Sequence, residues 1–130
     1  MQTTSYELSK KLDKKISIAS DFKKSYFFWV ISPEFDGEAK LLPKTNIKSL
    51  MELGCKLTLY PAYTLDEILE MLPKQIPSRH PDYIDELELE VMEDKYWWSY
   101  DSSPDYEHTN PAEAAGQLLV WCIENGHIKL

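Results

Sequence analysis

Residues 86–100 read ELELEVMEDKYWWSY, and this stretch decides the fold class. Leu87, Leu89 and Val91 alternate with Glu86, Glu88 and Glu90. A period of two puts the apolar set on one face of a strand and the carboxylates on the other. That is the pattern of an antiparallel strand with a dry side and a wet side. Glu93-Asp94-Lys95 supplies a turn, and Tyr96 to Tyr100 returns through aromatic residues that favour strands. Pairing Glu93 with Tyr96 sets Val91 opposite Trp98 and Leu89 opposite Tyr100. Trp97 and Ser99 then share the wet face with the glutamates, and a slip of one residue would invert the arrangement.

On either side of this hairpin the spacing changes from two to a helical repeat. Downstream, Asn110 caps a helix, Pro111 takes its first position, and Glu113 stands where it would close a capping box. Leu118, Leu119, Cys122 and Ile123 repeat at helical spacing, Ala114, Ala115 and Gly116 permit a close neighbour, and Asn125-Gly126 ends the helix. Upstream, Thr64 and Glu67 form a capping box for a helix with the apolar face Leu65, Ile68, Leu69 and Leu72, which Pro73 stops. Residues 74–84 read as a loop containing Pro77 and Pro81.

The front half follows the same rules. Leu8, Leu12 and Ile16 lie one turn apart, so residues 5–15 form an amphipathic helix with Lys10, Lys11, Lys14 and Lys15 off the stripe. Glu7 is spaced to pair with Lys11. Residues 16–24 are a connector. Ser25 to Ile31 is a strand ended by Ser32-Pro33, Glu34 to Gly37 is a turn, and Glu38 to Leu42 returns as a second strand. Asn46 caps a short helix through Leu53 with Gly54 just past its end, and Lys56 to Tyr60 is a strand with Leu57 and Leu59 inward. The order is α-β(β)-(α)-β-α-β-β-α. Without a regular βαβ alternation, the expected fold is α+β: a small antiparallel sheet with helices packed mainly on one face, in a single domain over residues 1–130.

Composition fits that expectation. The chain has 130 residues, 43% hydrophobic and 12% aromatic, enough for a packed core. The N-terminus has no apolar run, and the longest apolar stretch, Tyr26 to Ile31, is far too short to span a bilayer. The expected location is the cytoplasm, with no membrane partner. Cys55 and Cys122 then read as reduced, small hydrophobes. The net charge is −8, which argues against a nucleic-acid partner. It is unevenly spread: residues 1–60 carry +3 and residues 82–107 carry −9.

SYELSKKL, SYFFWV, PAYTLDEILEMLP, LELEVMEDKYWWSY and NPAEAAGQLLVWCIENG occur here in one order. That arrangement resembles a family of small uncharacterised proteins of bacterial genomes and their prophages. The resemblance covers about half of the chain, and against it residues 33–60 look long enough to hold an insertion. It implies a cytoplasmic bacterial protein, of phage origin in part of the family. It implies no activity, cofactor or catalytic residue.

The chemistry-bearing residues divide into four sets. Asp101, Ser103, Asp105 and Glu107 alternate oxygens like the start of a calcium loop, but Tyr106 stands where the sharp turn needs glycine and Ala112 where a carboxylate should close the site. His108 beside Glu107 completes the weak metal or enzyme candidates: Asp101, Asp105, Glu107 and His108. His80 and His127 lie apart from it, and Cys122 with His127 is spaced for different faces of a helix end. The four glycines form no phosphate loop and Arg79 is the only arginine, so no cofactor is expected and a small carboxylate- or metal-dependent enzyme is the alternative reading. The lysine helix with Tyr26 to Trp29 gives a third, a stacking platform for nucleic acid. The first reading is a non-enzymatic interaction protein. Its contact surface is Glu86, Glu88, Glu90 and Trp97, facing a basic partner. That partner is either a nucleic-acid-binding protein whose DNA the surface mimics or the lysine helix of a second copy. The competing structural role for the same row is a solvated edge that blocks aggregation.

Overall fold

Three capped helices frame the larger core. The computed structural model describes residues 2–16, 25–80 and 82–128, and all structural statements below concern these. Beyond Ile16, the connector expected over 16–24 lies outside them, as does Pro81. Ser5 caps α1 (Tyr6–Lys15) by accepting from the Leu8 amide at 3.2 Å, and Leu8, Leu12 and Ile16 are buried as the spacing requires. Glu7 pairs with Lys10 at 3.6 Å and not with Lys11, one position short of the expected partner.

The strand-rich front half follows. β1 (Phe27–Ile31) is the centre of a sheet ordered β2-β1-β3, with β2 (Lys40–Pro43) and β3 (Thr58–Ala62) antiparallel on either side. A short 3-10 turn, Pro33–Phe35, links β1 to β2. Helix α2 (Lys44–Glu52) starts two residues before the expected Asn46 cap, with Pro43 as its N-cap residue. Gly54 has φ +82 past its end, the left-handed closure that glycine permits. Phe28, Val30 and Ile47 form a small core here, with Leu57 and Leu59 packed against it as their alternation predicts. Residues 33–60 thus supply most of a second hydrophobic cluster.

The larger core lies between helices. Thr64 and Glu67 make both halves of the expected capping box at the start of α3 (Leu65–Met71). Asn110 caps α4 (Pro111–Glu124), accepting from the Ala112 amide at 2.9 Å. Leu118, Leu119 and Cys122 of α4 are buried against Leu8, Leu12 and Ile68. Gly116 lets α1 approach: a Cβ there would stand 2.7 Å from Leu8 Cδ2. Glu113 does not close the box on its own helix. It accepts from the Ser5 amide at 3.0 Å and the Ser5 hydroxyl at 2.9 Å, so it ties α4 to the start of α1. The Asn110 amide donates to His108 Nδ1 at 2.9 Å instead.

The back half supplies five strands. β4 (Gln75–Pro77) pairs with β5 (Ile84–Glu86), so part of the expected 74–84 loop is a strand. β6 (Glu88–Met92), β7 (Lys95–Ser99) and β8 (Tyr106–His108) form the third sheet in that order. The class is α+β, with four α-helices and eight strands among the described residues. The strands divide among three small antiparallel sheets, whereas the sequence pattern predicts one.

Candidate functional site

The β6–β7 hairpin is tighter than its sequence suggests. Met92 pairs with Lys95, so only Glu93 and Asp94 turn, and Glu93 does so at φ 56. Val91 therefore faces Tyr96 and Leu89 faces Trp98, two residues from the expected register. An even shift leaves every side chain on its original face. Glu90 stands opposite Trp97, and Trp97 opposite Glu107 on β8. Glu88, Glu90, Trp97 and Glu107 accordingly share one face. The Trp97 indole N–H donates to the Glu107 carboxylate, and Lys95 lies 3.8 Å from the same group. Glu107, read from sequence as a metal candidate, is part of the acidic face. The three-residue strand that puts it there carries no alternation signal of its own.

Glu86 leaves this set. Leu87 breaks the strand, and Glu86 lies in β5, where Gln75 donates to it at 3.4 Å. The second departure concerns Leu89 and Val91, which the alternation places against the core. Leu89 is 45% exposed and Val91 56%. The cause is the sheet order. β7 and β8 pack on α4, burying Trp98 and part of Tyr106, whereas β6 is the outer strand and lies beyond that cover. All five residues of β6 are exposed, Met92 at 56% among them. The result is an open edge with Glu88, Glu90 and Met92 on one face and Leu89 and Val91 on the other.

The enzyme candidates do not gather. Among the described residues, no three His, Cys, Asp or Glu side chains are grouped to hold a metal ion. Asp101 belongs to the turn after β7 and Asp105 to the loop before β8, while Glu107 and His108, adjacent on β8, point to opposite faces. Sequence reading missed a different constellation. A cleft of about 510 Å³ opens between Ser78, Arg79 and His80 on one side and Asp101, Ser102 and Ser103 on the other. Behind it Asp85, only 5% exposed, accepts from the Ser102 amide at 3.0 Å and from the Ser102 hydroxyl. Arg79 donates to the Ser102 carbonyl at 3.1 Å. Serine, histidine and aspartate are present, but the wrong pair is joined. Asp85 holds the hydroxyl directly, with no imidazole between them to take its proton. The Ser102 contact, helped by Ser78 and His80, also lowers the Asp85 pKa, which makes it a poorer base. The cluster ties the 78–80 and 101–103 loops to strand β5.

The aromatic run of the nucleic-acid reading is divided by its strand. Phe28 is buried, and Trp29 donates its indole N–H to the Thr4 carbonyl at 2.9 Å and packs on Tyr6. Tyr26 is exposed, with its ring against Phe27. Among the described residues, no helix is long and apolar enough to cross a membrane. Comparison with family models, curated proteins and solved structures yields no match to this chain.

Proposed function

We propose that the chain is an interaction protein whose contact element is the β6–β7 hairpin, and that it takes a partner with basic side chains. The observation that carries this reading is the exposure of Leu89, Val91 and Met92 beside Glu88 and Glu90 on an outer strand. Charge alone would suit a solvated edge, because carboxylates there discourage strand addition. An edge built only for solubility has no use for three uncovered apolar side chains, which cost free energy in water. Carboxylates that select and steer, beside apolar area that binds, are the two parts of a docking surface. Trp97, held by Glu107 and half-buried, adds a fixed aromatic to the acidic face.

The test uses a synthetic peptide of alternating lysine and valine, with a glutamate–valine peptide as control. The lysine peptide should shift the amide resonances of residues 88–92 and bind less tightly as salt rises, since exposed charges are screened within about 8 Å at physiological ionic strength. Glu88→Gln with Glu90→Gln should weaken binding by about 0.4–2 kcal/mol, the sum for two exposed pairs. Equal binding of both peptides, or shifts confined to other strands, would refute the reading.

A further inference from the structure

The geometry points to a second copy of this chain as the basic partner: the acidic hairpin face of one molecule seats in the lysine-rimmed groove between α1 and α4 of the next. The inference rests on the hairpin reading above and names the surface met by the face that carries Glu88, Glu90, Met92 and Trp97, with Leu89 and Val91 on the strand's opposite face. The groove has a volume of about 670 Å³. Leu8, Val120, Trp121 and Tyr106 supply apolar lining, and Lys10, Lys11 and Lys14 stand along α1. Glu7, Glu113 and Glu124 also line it, each already engaged: Glu7 by Lys10, Glu124 by Lys15 and Glu113 by Ser5. Lys10 is engaged by Glu7 at 3.6 Å and lies over the Tyr6 ring. Lys15, just beyond, is taken by Glu124 at 3.2 Å. Lys11 and Lys14 are exposed and have no ion pair among the described residues. They are the cations that a docked acid can use.

Spacing supports the match. Residues three apart on a helix advance by about 4.5 Å along its axis. Glu88 and Glu90, two apart on a strand, are separated by about 6.8 Å. Flexible lysine stems absorb the difference while their methylenes cover the apolar lining. Position supports it too. Adjacent residues of β8 point to opposite sides, so Tyr106 lines the groove while Glu107 joins the acidic face. The two complementary surfaces therefore lie on opposite sides of one sheet, and no molecule can satisfy its own. A contact between different surfaces does not close as a twofold dimer and adds copies head to tail. The whole chain carries −8, so copies repel at long range, but screening at physiological salt leaves the local pairs to decide.

Sedimentation equilibrium across concentrations up to hundreds of micromolar, at physiological salt, tests this. The wild-type mass should rise with concentration past that of a dimer and fall back in high salt. Lys11→Ala with Lys14→Ala, and Glu88→Gln with Glu90→Gln, should each stay monomeric. These are exposed positions, and a urea melt confirms the fold of each variant. An equimolar mixture of the two should form a one-to-one dimer and nothing larger, because only one working groove and one working hairpin meet. Reversing both sets of charges in one chain should restore assembly. A wild type that remains monomeric throughout, a variant that assembles like wild type, or a monomeric mixture each overturns the inference. If the wild type stays monomeric while the lysine–valine peptide still binds residues 88–92, self-association alone is lost. If that peptide also fails, the hairpin reading falls with it.

Discussion

Replacing Glu113 by alanine should destabilise the fold by about 3 kcal/mol, although no sequence rule marks it as more than a local cap. Glu113 is 7% exposed, and its two oxygens receive the Ser5 amide at 3.0 Å and the Ser5 hydroxyl at 2.9 Å. Hydrogen bonds to a charged group contribute about 1.5–3 kcal/mol each, and this contact is only part-buried, so the lower figure applies to both. In the alanine variant the Ser5 hydroxyl still accepts from Leu8 and the cap of α1 survives, while the Ser5 amide loses its partner. Glu113→Gln keeps one acceptor and should cost about 1 kcal/mol, one neutral hydrogen bond. Urea unfolding followed by circular dichroism measures both. Ser5→Ala completes a double-mutant cycle, whose coupling energy should reach about 1 kcal/mol or more for residues in contact. A cost for Glu113→Ala below about 0.5 kcal/mol, the range of ordinary surface changes, would refute the assignment. Equal costs for alanine and glutamine would move the effect from the acceptors to the charge.

Three further outcomes are expected. The hydrogen bond from Ser102 lowers the Asp85 pKa below its ordinary 3.8, so its stabilisation is complete above that value and is lost as pH falls through the lower folded-state value. Acid titration of stability should therefore be steeper for wild type than for Asp85→Asn below about pH 4, and parallel curves would disprove the linkage. Burial pushes the Cys122 thiol up to about 11, whereas Cys55 is half-buried, so a thiol reagent at neutral pH should modify Cys55 in the folded state and Cys122 only after denaturant. Glu93 turns the hairpin at φ 56, which costs an L-residue about 1–2 kcal/mol. Glycine relieves that and gives back about 0.5–1 kcal/mol in chain entropy, so Glu93→Gly should raise the urea midpoint slightly, and a lower midpoint would contradict the turn assignment.

What was legible in the sequence follows the range of each interaction. The caps at Thr64 and Asn110, the Leu8–Leu12–Ile16 stripe and the apolar face of α4 are set within one or two turns of chain, and they stand where the spacing placed them. Glu113 shows where such reasoning ends. Its position suits a capping box three residues away, yet its partner lies 108 residues off, and only the packing of α1 on α4 brings it close. β4 and β8 are three residues each, too short to show a period, so the sequence leaves Glu107 among the metal candidates and off the face it completes. The hairpin is the most instructive case. Alternation told correctly that Glu88, Glu90 and Trp97 share a side, because a two-residue error in register preserves faces. It could not tell which side was covered. A period of two says that a strand has two unlike faces, and burial of the apolar one requires something to lie over it. Here α4 covers β7 and β8 and stops short of β6, so Leu89 and Val91 face water beside the glutamates. The departure from the pattern is what the proposed interaction role rests on: apolar residues arranged for burial lie on a strand with no cover among the described residues.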